Sequence, residues 1–131
     1  MKESLNIQIG NRIKAIRNVY NEGIRLTVEQ FSHLLDISNE QLLNYENGRS
    51  ALPINILLEL YSRGVNPMFV LTGEGDALGN NDAGDDLREK FKVKNIDYNR
   101  IINNALASIP ADSTLSFQAI KVSAGKVQVE Q

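Results

Sequence analysis

The sequence predicts a mainly α-helical protein: five short helices that close by about residue 72, then a short C-terminal module of one or more helices with a candidate β-hairpin. Three observations carry this. Leu5, Ile9, Ile13, Ile16 and Tyr20 recur at steps of four, four, three and four, the spacing of one helix stripe. Two capping boxes, Thr27 with Gln30 and Ser38 with Gln41, stand eleven residues apart. Gly48, Gly64 and the pair Asn66-Pro67 then punctuate the chain as helix stops and starts.

The first helix carries Arg12, Lys14 and Arg17 off its apolar stripe. The second starts after Thr27, with Leu26 and Phe31 as a hydrophobic staple across the cap. The third starts after Ser38, stapled by Ile37 and Leu42, and only Leu35, Asp36 and Ile37 separate the two, which forces a sharp angle. A fourth helix is expected from about Pro53 to Arg63, and Asn66 caps a fifth with Pro67 at its first position. The run "TGEGDALGNNDAGDD" at 72–86, with four glycines and five acids, reads as a linker or exposed loop. The chain is therefore divided into 1–75, a linker at 76–86, and a second module at 87–131.

In that module "NIDYNRIINNALASIP" reads as a helix capped by Asp97, with Ile96 stapled to Ile101 and a stripe of Ile102, Ala105, Leu106 and Ile109 before the stop at Pro110. "AIKVSAGKVQVE" alternates as a hairpin would, pairing Ile120 with Val129 and Val122 with Val127 across Ala124-Gly125. So few large apolar groups do not make an independent core, so the stripe must pack on the first domain or on a second chain. Dimerisation through Ile102, Leu106 and Ile109 is the preferred expectation.

Composition narrows the function. With no cysteine, a disulfide framework and thiolate chemistry are excluded. No apolar run approaches a membrane span, and "MKESLNIQIGNRIK" lacks the continuous apolar centre of a signal peptide, so a cytoplasmic protein is expected. Fourteen Lys plus Arg against sixteen Asp plus Glu exclude a nucleic-acid coat held by charge alone. Any DNA binding must come from a local patch. His33 is the only histidine and falls on the outer side of the second helix, so neither a metal site nor a Ser/His/Asp site is expected. "GNNDAGDD" lacks the alternating ligands and closing Glu of a calcium loop. No cofactor and no catalytic residue is assigned.

The third helix is the informative one. Its periodicity turns Leu42 and Tyr45 inward and leaves Asn39, Glu40, Leu43, Asn44 and Asn47 outside. An amide offers a donor and an acceptor together, matching the major-groove edge of adenine, while Glu accepts from cytosine and Leu rests on a thymine methyl. The bland reading of the same residues is a solvated helix face.

"IGNRIKAIR" at 9–17, "TVEQFSHLLDISNEQLLNYENGRSALP" at 27–53 and "GVNPMFVLTGEG" at 64–75 together resemble the lambda-repressor/Cro-type helix-turn-helix regulators of bacteria and phages, over about half the chain. The resemblance implies a five-helix domain whose third helix enters the major groove, and a homodimer on a two-fold-related operator, acting as a repressor. It implies base readers Asn39, Glu40, Leu43 and Asn44, and an ion pair between Arg17 and Glu46 that ties the first helix to the third. Phosphate candidates are Ser38 and Asn47 at the ends of the third helix, Arg12 and Lys14 on the first, and Arg49 after the third.

Three departures stand out. Val28 replaces a phosphate-binding Gln common in the family, and Asp36 replaces the turn glycine, which it can do because Asp tolerates the left-handed region. "NVYNEGIRL" lengthens the joint between the first two helices, and Arg25 within it is a substitute phosphate contact or a solvated loop charge. A self-cleaving repressor is disfavoured, since only six residues follow Ala124-Gly125. The alternative function is an antitoxin or anti-repressor whose C-terminal module binds a partner protein.

Overall fold

The computed structural model describes residues 2–109, with side chains from Leu5 onward. Those residues are mainly helical, in the order α1 (Lys2–Val19), α2 (Val28–Leu35), α3 (Asn39–Glu46), α4 (Ile54–Ser62), α5 (Pro67–Thr72), α6 (Asp82–Val93) and α7 (Tyr98–Ala107). The hairpin expected at 120–129 lies outside them. No helix among the described residues is long and apolar enough to cross a membrane.

α1 is the axis of the core. Ile9, Ile13, Ile16 and Val19 are buried along it, against Phe31 and Leu35 of α2, Leu42 of α3, Ile56 and Leu60 of α4, and Phe69 and Val70 of α5. The stripe read from the sequence drifts at both ends. Leu5 is 50 % exposed, and Val19 rather than Tyr20 closes the buried row. Tyr20 stays at the margin, where its hydroxyl donates to the Arg63 carbonyl at 2.8 Å and satisfies the polar end of a half-buried ring.

The segment expected to be a linker is instead part of the packed structure. Ala77 and Leu78 are buried, and residues 64–66 and 77–79 run side by side through Asn66 N–H to Ala77 O at 2.9 Å and Gly79 N–H to Gly64 O at 2.7 Å. α6 then begins at Asp82, inside the presumed linker, with the Asn81 side chain accepting from Gly84 N–H at 2.9 Å. Gly84 has a steric reason to be glycine: a Cβ there would run into the Gly79 carbonyl, so α6 starts directly against backbone. Leu87 and Phe91 of α6 join Leu78 in a second apolar cluster, edged by Tyr20, Ile96, Tyr98 and Ile101. Asp76 joins this region by accepting from Arg88 at 3.2 Å and from the Tyr98 hydroxyl at 3.0 Å.

The lengthened joint after α1 has a structural use. Asn21 and Ile24 exchange backbone hydrogen bonds at 3.1 and 2.9 Å around Glu22 (φ 53°) and Gly23 (φ 93°), a tight turn with both central residues at positive φ. Glu22 pairs with Lys94 at 3.3 Å, and Gly23 abuts Ile96. The insertion thus meets the corner between α6 and α7.

α7 corrects a second expectation. Asp97 caps it, accepting from Arg100 N–H at 3.3 Å. Its apolar stripe is covered by α1 of the same chain: Ile102 is 3 % exposed within the main core, with Ala105 and Leu106 packed against that core and Ile109 half-buried. Ile102 is therefore not available to a second copy, because the intramolecular apolar surface reaches it first.

Candidate nucleic-acid interface

α3 is held in place from both ends. At its start, Ser38 Oγ accepts from Gln41 N–H at 3.0 Å and the Gln41 side chain accepts from Ser38 N–H at 2.9 Å, so two otherwise unpaired donors are satisfied reciprocally. Thr27 and Gln30 make the same box on α2. Between the helices Asp36 adopts φ 60° and ψ 46°, the left-handed conformation that turns the chain within three residues.

At the far end, Arg17 donates through Nε and Nη2 to both oxygens of Glu46, at 2.7 and 2.9 Å, and through Nη1 to the Leu26 carbonyl at 3.0 Å. The Glu46 side chain has no exposed surface, so its charge depends wholly on this bidentate partner. Gly10 allows the close approach: a Cβ there would clash with the Tyr45 and Glu46 carbonyls, so α1 and the end of α3 meet backbone to backbone. An isolated glycine inside a helical pattern is the signal that could have revealed this contact.

With both ends fixed, the outward side chains of α3 have defined places. Asn39, Glu40, Gln41, Leu43 and Asn47 are exposed, and Asn44 is half-buried between them. Asn39 does not have its whole amide to offer, since its Oδ1 accepts from the buried Ser32 hydroxyl at 2.5 Å and bridges α3 to α2. An adenine edge needs a donor and an acceptor from one amide, and the Asn39 oxygen, which has two lone pairs, commits one of them to Ser32. No sequence signal distinguished Ser32 from any other helix serine. Among the described residues, Glu40, Leu43 and Asn44 carry no such internal bond.

The cations expected at phosphates divide into two groups. Arg12 is turned to α5, where Nη1 donates to the Val70 carbonyl at 3.0 Å and the guanidinium lies over Gly73. Burial lowers its pKa. It satisfies a carbonyl at the end of α5, which a sequence cannot distinguish from a solvated or phosphate-binding arginine. Lys14 lies on the side of α1 shared by Ile7, Gly10 and Arg17, which is the side that meets the end of α3. Arg25 is exposed just before the α2 cap, and Arg49 is exposed just after α3, its backbone N–H donating to the Asn44 carbonyl at 2.9 Å. Ser38 is committed to its cap, and Asn47 is the exposed C-cap residue of α3. His33 is exposed on α2, and no cluster of metal-ligating side chains occurs among the described residues.

The arrangement is a short, rigidly seated helix that presents a carboxylate, an amide and an isobutyl group outward, with Lys14, Arg25 and Arg49 on the elements that adjoin it or α2. It holds hydrogen-bonding groups at fixed spacing. No family model, no curated protein and no solved structure matches the chain.

Proposed function

We propose that this chain is a sequence-specific double-stranded DNA-binding regulator of the lambda-repressor/Cro type, a repressor that acts as a homodimer on a two-fold-related operator. On this reading α1–α5 form the DNA-binding domain, α2 and α3 are the helix-turn-helix, and α3 lies in the major groove. The observation that carries it is the pairing of a doubly anchored α3 with an outer face of Glu40, Leu43 and Asn44. Anchoring matters because base readout needs side chains held in register.

Asn44 is the adenine reader and Leu43 rests on a thymine methyl, while Glu40 accepts from cytosine. α3 contains no Arg or Lys, the usual bidentate readers of guanine, so half-sites are A·T-rich at their centre. Lys14, Arg25 and Arg49 meet phosphates, and Arg12 is withdrawn from that role by its bond to Val70.

Selection of bound sites from random duplexes, followed by sequencing, tests the reading. Enrichment of A·T-centred half-sites is the expected result; no enrichment above input rejects it. On a selected site, Arg49→Ala should weaken binding to all sequences alike and lower the salt slope by about one unit.

A further inference from the structure

Asn47 caps the end of α3 and Gly48 follows it, the only Asn-Gly step in the chain. Asparagine before glycine is the pairing most open to self-modification, because no Cβ on the second residue shields its nitrogen from the neighbouring side-chain amide. Gly48 has its own reasons to be glycine: φ is 75°, and a Cβ would stand 2.9 Å from the Ile7 backbone. No such demand falls on Asn47. Its side chain is exposed and makes no hydrogen bond among the described residues, while its backbone N–H donates to the Leu43 carbonyl at 2.9 Å. The nucleophile is thus fixed in the sequence by packing, and the electrophile beside it is unprotected.

We propose that Asn47 is a self-modification site, at which the Gly48 nitrogen closes on the Asn47 side-chain amide. The Gly48 nitrogen gives its proton to solvent base and bonds to Asn47 Cγ. The Cγ–Nδ2 bond breaks, and Nδ2 leaves as ammonia with a proton from water. Water then opens the five-membered imide. Addition at Cγ leaves aspartate; addition at the Asn47 main-chain carbonyl leaves isoaspartate, with the main chain rerouted through the side chain.

The fold sets the rate. At ψ 0° the Gly48 nitrogen eclipses the Asn47 nitrogen and is turned away from Asn47 Cβ, so ring closure requires this turn to open. Opening releases Gly48 N–H from the Tyr45 carbonyl at 3.2 Å and Arg49 N–H from the Asn44 carbonyl at 2.9 Å. These bonds belong to a single helix end, where local opening needs least free energy. The folded chain is slowed, not protected.

Both products alter the same place. Each puts a negative charge at the carbonyl end of α3, where the helix dipole disfavours it. Isoaspartate also adds a carbon to the main chain between Glu46 and Gly48, and Gly48 has no room to shift toward Ile7, so the end of α3 must take up the added length. On the DNA-binding reading the new charge repels phosphate, and modification slowly shuts the site. This last consequence rests on that reading; the modification does not.

Peptide mapping by mass spectrometry, with detection of isoaspartate, tests the site on the full chain aged in mildly alkaline buffer, folded and in urea. The folded chain should exchange NH2 for OH at residue 47 before any other asparagine, about 10- to 100-fold more slowly than in urea. The rate should rise with pH, isoaspartate should be among the products, and Asn47→Gln should suppress the change, because a six-membered ring closes more slowly. No product at Asn47 in the folded chain once the urea-held chain is fully converted overturns the proposal. So does conversion to aspartate alone at a rate that ignores pH. On a selected duplex, Asn47→Asp should bind all sequences roughly threefold to tenfold more weakly than wild type. Equal binding overturns the shut-off, whereas no enrichment of any duplex by wild type rejects the DNA reading and leaves mass spectrometry to decide the site.

Discussion

α1 joins α3 and α7 by two different kinds of contact. Toward α3 it offers Gly10 and Arg17, so the joint is a backbone-to-backbone approach closed by a bidentate ion pair with a fully buried carboxylate. Toward α7 it offers Ile16 and Val19, and the joint is ordinary apolar packing on Ile102. Apolar packing contributes in proportion to area and tolerates small rotations. A two-oxygen, two-nitrogen pair does not, and its net contribution to stability is small or even unfavourable relative to a well-packed apolar substitute. On the proposed reading, α7 is held for stability, whereas α3 is held for orientation.

The ion pair is the place to break the comparison hardest. Arg17→Ala leaves Glu46 buried without a partner and should cost about 3–5 kcal/mol in urea unfolding. Arg17→Met/Glu46→Leu should recover most of that loss while still impairing DNA binding. Recovery of stability together with unimpaired binding means the pair has no orienting role. Ile102→Ala should cost about 2–4 kcal/mol, with a lower melting temperature and unchanged sequence preference. A negligible loss means that α7 is not docked on α1 in solution. The smallest effects belong to the turn. Asp36→Gly should lie within about 0.5 kcal/mol of wild type, because relief of a left-handed Cβ offsets the added freedom of the unfolded chain. Asp36→Val should cost about 1–2 kcal/mol, since a β-branched residue resists φ 60°. Equal stabilities for Gly and Val at 36 argue against the left-handed turn.

The same contrast explains what the sequence could convey. The starts of α2 and α3 were legible to the residue, because a capping box is a local motif in which two side chains and two backbone groups within four residues complete one another. α6 was not. Its first turn is acidic and contains Gly84, so it reads as loop, and what makes it a helix is the non-local seating of Gly84 on Gly79 and of Leu87 and Phe91 on Leu78. For α7 the periodicity located the apolar face, and a face does not say what covers it. α1 covers it, which removes Ile102 from a dimer surface. Within the candidate site, exposure of Glu40 and Leu43 followed from helix period alone. The bonds of Asn39 to Ser32 and Arg12 to Val70 did not, because each depends on a partner placed by tertiary packing.

The central claim is that the outer face of α3 reads bases, and Asn44 tests it most directly. A site selected by the wild-type chain is varied one base pair at a time, and the affinities of wild type and Asn44→Ala are compared at fixed salt. The account predicts a loss of about 1–3 kcal/mol per half-site for Asn44→Ala, with preference relaxed at a single A·T pair and retained elsewhere. An Asn44→Ala chain with the full wild-type preference at every position contradicts it.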